Sequence, residues 1–197
     1  ITIKNTAGGG VTLDSTTSAN ETVNLPTGGG NLITTTGATF TGNIATKGIS
    51  AVTAGTSNFV AGVNAGNSIV SGGNYNTVVG DEAGTAITTG DNNVAVGYGS
   101  LVANTTGSAN AAVGLSCLDS NTTGNHNNAL GYLALQANTT GSQNTAIGGT
   151  ALYANTTGGD NTASGYNSMG ANTTGASNVS LGSNSLRSNT TASSNTA

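Results

Sequence analysis

Residues 141–157 read Gly-Ser-Gln-Asn-Thr-Ala-Ile-Gly-Gly-Thr-Ala-Leu-Tyr-Ala-Asn-Thr-Thr, and this 17-residue unit decides the fold. The units on either side, 124–140 and 158–174, repeat its order of glycine, asparagine, small residue, glycine, apolar residue and Asn-Thr-Thr. A fixed period of this length is typical of solenoids, in which each unit stacks on the next. The sequence therefore predicts a repeat array before any single strand or helix is assigned.

Two columns of glycine carry the period through residues 73–197. The first column follows Thr-Thr in most units, and the second column lies seven residues later. Glycine tolerates positive φ, so both columns are suited to turns. The repeat glycines are Gly73, Gly90, Gly107, Gly124, Gly141, Gly158 and Gly175 in the first column, and Gly80, Gly97, Gly114, Gly131, Gly148, Gly165 and Gly182 in the second.

An apolar anchor follows each second-column glycine by four residues, except in the first unit, where Gly84 takes its place. Gly, Asn and Thr are poor helix interiors, so each unit is predicted to hold two short strands. One strand is Asn-Thr-Ala-Ile, and the other carries the anchor and runs into Asn-Thr-Thr-Gly. We expect the anchors to be the repeat core: Leu101, Leu118, Leu135, Leu152, Met169 and Leu186.

The pattern predicts an all-β fold, a parallel β-solenoid or β-roll with 17-residue coils. One Leu and one Val or Ile per coil make a thin core, and small apolar groups contribute little each. We expect the neighbouring Ala column to pack against other chains. A side-by-side homotrimer forming a fibre is the predicted assembly, because closed cyclic symmetry is common among homo-oligomers.

The front of the chain does not hold the period. We divide the sequence into a small β-rich shaft or connector segment at 1–54, an imperfect first coil at 55–72 and the array at 73–197. In the imperfect coil, Gly72 and Gly73 imply one extra residue. Short strands are predicted where apolar and polar residues alternate. These strands are 1–4, 11–14 and 21–25, the last ended by Pro26, and 41–54 is linker-like.

Composition excludes several classes of protein. Only 5% of residues are charged and the net charge is -4, with three basic residues in all, so a nucleic-acid surface is excluded. The longest apolar runs span a few residues, so no transmembrane helix is expected. Because the chain begins at Ile1 and its last repeat is cut short at Ala197, we expect it to be a fragment of a longer protein.

Two features together resemble phage tail fibres. Residues 23–36, Val-Asn-Leu-Pro-Thr-Gly-Gly-Gly-Asn-Leu-Ile-Thr-Thr-Thr, and their continuation at 37–44 look like the strand-and-glycine modules of tail-fibre shafts. The array, with Asn-Thr-Ala-Ile-Gly at 144–148, is similar to the head repeats of trimeric autotransporter adhesins, whose coils are usually shorter and carry a Ser-Val-Ala-Ile-Gly-like strand. The resemblance implies a left-handed parallel β-roll, three chains side by side and a role in host-cell attachment.

A few residues could carry chemistry. His126 is the only histidine and has no second imidazole or carboxylate cluster in its column, so we expect an exposed turn residue rather than a base or metal ligand. Cys117 shares its column with alanines and serines, which favours a small packed residue over a reactive thiol. Asp81, Glu82 and Asp91 are close in sequence, but the repeated Asp column of calcium-binding solenoids is missing.

Two columns allow both a structural and a functional interpretation. Tyr98, Tyr132 and Tyr166 share one column and could stack on sugars or serve packing, and we favour packing. A second column begins Asn-Thr-Thr, a formal glycosylation sequon, and its coincidence with a turn favours a structural role. These asparagines are Asn104, Asn121, Asn138, Asn155, Asn172 and Asn189.

The leading functional hypothesis is a structural fibre protein, the shaft of a viral tail fibre supporting host-cell attachment. We expect no enzyme activity, no catalytic, cofactor or metal site, and no cofactor. The expected partners are two further copies of the chain, other virion tail proteins and a host surface receptor reached through a tip outside this chain. The expected location is the virion tail fibre. The alternative is a trimeric adhesin on a bacterial cell surface; a polysaccharide-degrading spike and an ice-binding solenoid rank lower.

Overall fold

The computed structural model of the chain describes residues 2–6, 10–14, 49–50 and 55–197. All regular elements of these residues are β-strands, and none of the described residues lies in an α-helix. The chain forms two compact units, Ile1–Thr41 and Gly42–Ala197. The predicted all-β class is therefore confirmed.

The first unit contains an antiparallel hairpin. Strand β1 (Thr2–Thr6) pairs with β2 (Gly10–Asp14), and Ile3 lies opposite Leu13. The hairpin confirms the strands predicted at 1–4 and 11–14, with somewhat longer bounds. The strand predicted at 21–25, with its end at Pro26, lies outside the described residues.

The second unit contains a nine-stranded sheet in which the strands follow one another in chain order. It begins with β3 (Ile49–Ser50), which is antiparallel to the next strand and comes from the stretch predicted as linker-like. The other eight strands are parallel and three residues long. They are β4 Phe59–Ala61, β5 Thr77–Val79, β6 Val94–Val96, β7 Ala111–Val113, β8 Asn128–Leu130, β9 Thr145–Ile147, β10 Thr162–Ser164 and β11 Val179–Leu181.

Each parallel strand pairs with the strand one unit later, so that Thr145 lies beside Thr162, 17 residues on. The first step is the exception, because Phe59 pairs with Thr77, 18 residues on. The added residue is the one that Gly72 and Gly73 imply, and Gly72 has a positive φ of 109°. The structure confirms a parallel β-solenoid of about 7 turns with about 17 residues per coil.

The inner and outer sides of the strands are the reverse of the prediction. The Ala column lies inside its own coil, and Ala95, Ala112 and Ala146 are fully buried. The branched residues beside it face outward, for example Ile147, which is 45% exposed. Side chains alternate along a strand, so the inward asparagine two residues before each alanine sets this order. The prediction that the Ala column contacts other chains is wrong.

The second strand predicted in each unit is also wrong. The anchor segment consists of turns and bends, and strands are confined to the other side of the coil. Leu135 and Leu152 have φ of 52° and 50°, in the left-handed region that strands do not use. Backbone hydrogen bonds still join successive coils there, because the amide of Leu135 donates to the carbonyl of Ala151. The coil is therefore held on both sides, by a sheet and by a ladder of turns.

Candidate functional site

The first internal feature is a ladder of asparagines, one per coil, just before each strand. The Nδ2 of Asn144 donates to the Oδ1 of Asn127 (3.1 Å) and to the carbonyl of Gly158 (2.9 Å). The Oδ1 of Asn144 accepts from the backbone amide and the Nδ2 of Asn161. Each amide therefore bonds the coils on both sides, and Asn144 is fully buried without an unsatisfied polar atom.

A second asparagine ladder begins at Asn104 and consists of the Asn-Thr-Thr column. The Nδ2 of Asn138 donates to the Oδ1 of Asn121 (2.9 Å) and to the carbonyl of Gly141 (2.9 Å). That glycine carbonyl also accepts from Asn127 of the first ladder (2.9 Å). The two ladders thus meet at the first-column glycine of each coil from Gly107 to Gly175. Because Asn104 to Asn172 of this column are fully buried, they are not accessible glycosylation acceptors, which favours the structural reading of the sequon.

The glycine columns are required by how closely the coils approach each other. A Cβ on Gly107 would lie 2.5 Å from the carbonyl oxygen of Gly124 in the next coil, far inside van der Waals contact. A Cβ on Gly148 would lie 2.6 Å from the Gly165 oxygen, and its φ of 128° is one that side chains disfavour. Both columns therefore stack backbone directly on backbone, but only the second column has the positive φ expected of both, and close approach alone requires glycine in the first.

The anchor column lies in the interior beside these ladders. Leu101, Leu118, Leu135, Leu152 and Met169 are fully buried, and Leu186 is partly buried against the same cluster. The interior of each coil thus contains an apolar half of Leu and Ala and a polar half of asparagine amides. The recurring leucine predicted the apolar half, whereas the burial of the asparagines was not predicted.

A third ladder was missed altogether. It lies one residue after the first-column glycine, where short acceptor side chains bind the amide of the preceding coil. The Oγ of Ser142 accepts from the amide of Asn125 (3.0 Å), and the Oδ1 of Asn125 accepts from the amide of Ser108 (2.8 Å). The column mixes Asn, Asp and Ser, so residue identity did not reveal it. The shared signal is a short acceptor, and the ladder is interrupted at Gly159 and Ala176.

The three acidic residues singled out in the sequence serve this kind of bonding. Asp91 accepts from the amide of Asn74 (2.6 Å), and Asp81 accepts from the amide of Val63 (3.0 Å). Glu82 accepts from the side chain of Asn64 (2.7 Å). Among the described residues, no group of three or more His, Cys, Asp or Glu side chains could hold a metal ion.

The single histidine and the single cysteine lie in contrasting environments. His126 is exposed in a turn with φ of 57°, in the position that the sequence predicted. Cys117 is fully buried, and its Sγ contacts the carbonyl of Gly131. Desolvation by burial raises the pKa of the Cys117 thiol, and backbone hydrogen bonds lower it in part. The small packed residue expected at this place is confirmed.

Two surface features remain that could contact another molecule. The first, here called the outer strand face, consists of the outward residues of the strands and includes Val94 (37% exposed), Leu130 (51%) and Ile147 (45%). Neither of its two columns contains a charged residue from β4 to β11. It is an uncharged face with apolar residues in seven of its eight strands, and it is interrupted at β10, where both outward residues, Thr162 and Ser164, are polar.

The second, here called the tyrosine column, follows the second-column glycines. Tyr98, Tyr132 and Tyr166 are 60%, 57% and 62% exposed, so they do not pack inside the coil. Backbone bonds fix the column, because the carbonyls of Tyr132 and Tyr166 accept amides from the following coil at 2.8 and 2.9 Å. The rings lie outside the core of the coil, and whether they serve packing at the turn or stacking on sugars stays a prediction.

No helix of the described residues is long and apolar enough to cross a membrane.

The chain was compared with protein families, curated proteins and solved structures. No protein-family description, curated protein or solved structure gives a significant match to the sequence or the fold.

Proposed function

We propose that the chain is a non-enzymatic structural protein, the shaft of a viral tail fibre that supports attachment to a host cell. The observation that carries the proposal is the stack of coils over 55–197, in which every buried side-chain polar atom is paired. Coils that contact only their neighbours extend in one direction. About seven turns at the spacing of β-strands cover roughly 33 Å, as a spacer requires.

The outer strand face supports the further proposal of a homotrimer. Single exposed apolar residues are ordinary on protein surfaces, but contiguous apolar patches mark interaction sites. Val113, Leu130 and Ile147 stand in one column in successive coils and are 36%, 51% and 45% exposed. A face of this kind without charges is suited to burial against another chain.

The occupant that fits this face is another copy of the same chain. A partner with the same axial repeat can place an equivalent apolar residue against each coil, whereas a partner of another period would lose register after a few coils. Identical chains can also close around an axis and leave no apolar face exposed. The number three comes from the resemblance to tail fibres and trimeric adhesins.

Native mass spectrometry of the chain tests the assembly. We expect a particle of three 18.8 kDa chains. Ile147→Asp should dissociate it, because a charge would be buried in an apolar interface. Thr140→Asp is the control, because Thr140 is exposed outside the outer strand face. A well-folded wild-type monomer would contradict the trimer, as would an Ile147→Asp variant that stays trimeric.

A trimeric adhesin on a bacterial surface is the second candidate, and the exposed tyrosine column favours it. An adhesin whose repeated face binds host material needs side chains on that face, and the tyrosines provide them. Immunogold labelling with antibodies against the coils separates the two functions. Label on the tail appendages of virions supports the fibre, and label confined to the bacterial envelope supports the adhesin.

A further inference from the structure

The tyrosine column places aromatic rings at every second coil. Tyr98, Tyr132 and Tyr166 follow one another at intervals of 34 residues, with Leu115 and Gly149 in the coils between them. Parallel pairing of the adjacent strands keeps the coils in register. Two coils rise about 9.6 Å at the usual strand spacing, so the three rings form a row with that repeat.

The two residues between the rings differ in size: Gly149 leaves the space between Tyr132 and Tyr166 open, whereas Leu115, 47% exposed, lies between Tyr98 and Tyr132. A Cβ on Gly149 would lie 3.5 Å from the Cδ2 of Tyr166, so this ring leans over Gly149 toward Tyr132. None of the hydrogen bonds among the described residues involves the three phenol hydroxyls. Each ring therefore offers an apolar face together with a free hydroxyl group.

We propose that the tyrosine column binds an extended, neutral polysaccharide, with one tyrosine under every second sugar. The C–H face of a pyranose ring stacks on an aromatic face, and the phenol group can bond its hydroxyls. In an extended chain, two linked pyranose rings have about the length of the two-coil step. Three rings therefore contact the first, third and fifth sugars of one chain.

The charge of the coils selects a neutral chain over an acidic one. Residues 55–197 contain five acidic side chains, Asp81, Glu82, Asp91, Asp119 and Asp160, against one basic side chain, Arg187. An acidic polysaccharide would meet like charge and no cluster of cations. The negative charge of the coils does not weaken the binding of a neutral hexopyranose chain.

Binding of defined oligosaccharides to the whole chain, measured by isothermal titration calorimetry, tests the proposal. The probes are cellohexaose, which is extended, maltohexaose, which is curved but has the same composition, and cellobiose, which can cover only one ring. We expect cellohexaose to bind at least tenfold more tightly than either of the other two, because only it can contact three rings at once.

Single substitutions separate the column from other exposed tyrosines. Tyr132→Ala should weaken cellohexaose binding about two- to tenfold, the usual contribution of one aromatic contact. The same column holds Gly149 and Ser183, so an alanine fits its backbone. Tyr75→Ala is the matched control, because Tyr75 is equally exposed at 60% but lies in another column, and it should leave the affinity unchanged.

Three results would overturn the proposal. One is no binding of cellohexaose at millimolar concentration, and another is equal binding of maltohexaose. The third is a Tyr132→Ala variant that keeps full affinity, and a change of its oligomeric state would then identify the column as a contact between chains. These outcomes are independent of the fibre and adhesin alternatives, because the assay measures the ligand and not the location of the protein.

Discussion

The first two coils and the later coils fill the same interior space in different ways. In the early coils the anchor position is glycine, and an isoleucine three residues later is buried: Gly66 with Ile69, and Gly84 with Ile87. A Cβ on Gly84 would lie 2.7 Å from the Cδ1 of Ile87, so this isoleucine occupies the space of a leucine side chain. From Leu101 onward, leucine or methionine fills that space, and asparagine takes the position of isoleucine.

This difference shows that the anchor position and the position three residues later share one interior space, so the residues at the two positions depend on each other. A glycine requires the large apolar neighbour, whereas a leucine leaves room for an amide that joins the ladder. The ladder begins at Asn104, whose Nδ2 donates only to the Gly107 carbonyl, because Ile87 in the preceding coil cannot accept a hydrogen bond. From the coil of Leu101 onward, a buried asparagine of the ladder therefore replaces the buried isoleucine, while the backbone stays the same.

Placing a charge in the apolar half should have the largest effect. Leu135→Asp buries a carboxylate at a fully buried position, and we expect the free energy of unfolding to fall by about 4 kcal/mol or more. Chemical denaturation at a fixed chain concentration measures this loss. Leu115→Asp is the control, because Leu115 is 47% exposed in a column where the coil of Gly84 has Asp81. Equal losses in the two variants would contradict the inward placement of Leu135.

Removing one rung of the asparagine ladder should have the next largest effect. Asn138→Ala takes a partner from Asn121 and from Asn155, and we expect a loss of about 2–3 kcal/mol because buried polar groups remain unpaired. Thermal and chemical unfolding measure the loss. The control is Gln143→Ala, an exposed amide in a column where Ala109 has the same left-handed backbone. A ladder variant as stable as this control would show that the ladder contributes nothing.

The comparison of the coils predicts energetic coupling between the two positions. Leu101→Gly alone leaves a cavity, and Asn104→Ile alone overpacks the corner and removes the acceptor of Asn121. The double variant reproduces the coil of Gly84 and Ile87, and it should be at least about 1 kcal/mol more stable than the sum of the single variants predicts. A double-mutant cycle from denaturation curves gives this value, and additive effects would contradict the shared space.

Repairing the third ladder should have the smallest effect, and it is stabilising. The backbone amide of Ala176 donates to the Oγ of Ser193 in the next coil. The backbone amide of Gly159 has no such acceptor, because the residue opposite it in the next coil is Ala176. Ala176→Ser supplies a hydroxyl at that place, and we expect a gain of about 0.5–1 kcal/mol, measured as a higher melting temperature. Ala171→Ser adds the same hydroxyl where Ser120 stands in another coil, and it should change nothing. A gain of equal size in both variants would show that the ladder is not its cause.

The parts of the fold that depend on spacing could be predicted from the sequence. The glycines from Gly73 to Gly175 gave the register, because each stacks on its equivalent and leaves no room for a Cβ. The extra residue of the first coil could also be predicted, because Gly72 and Gly73 displace the glycine period by one residue. The burial of Leu135 also followed from one apolar residue recurring at one place in a polar repeat.

The parts that depend on orientation could not be predicted. Asparagine was taken as a turn residue, although the burial of Asn144 decides that Ala146 points inward and Ile147 outward. An amide is buried without cost only when the next coil pairs it, so its environment depends on stacking and not on its own propensity. The left-handed backbone of Leu135 is equally invisible in sequence, because leucine rarely adopts it, and a strand was therefore predicted there.

Distances between spin labels test the central claim, a stack of 17-residue parallel coils, most directly. Thr89, Thr106, Thr174 and Thr191 are exposed in one column and can be changed to cysteine in a Cys117→Ala background, with unlabelled chain in excess. The pair at 106 and 174 is four coils apart, and the pair at 89 and 191 is six coils apart. The Cα separations should therefore be roughly 19 and 29 Å, in the same ratio as the numbers of coils. Separations that do not increase in proportion to the number of coils would contradict the solenoid.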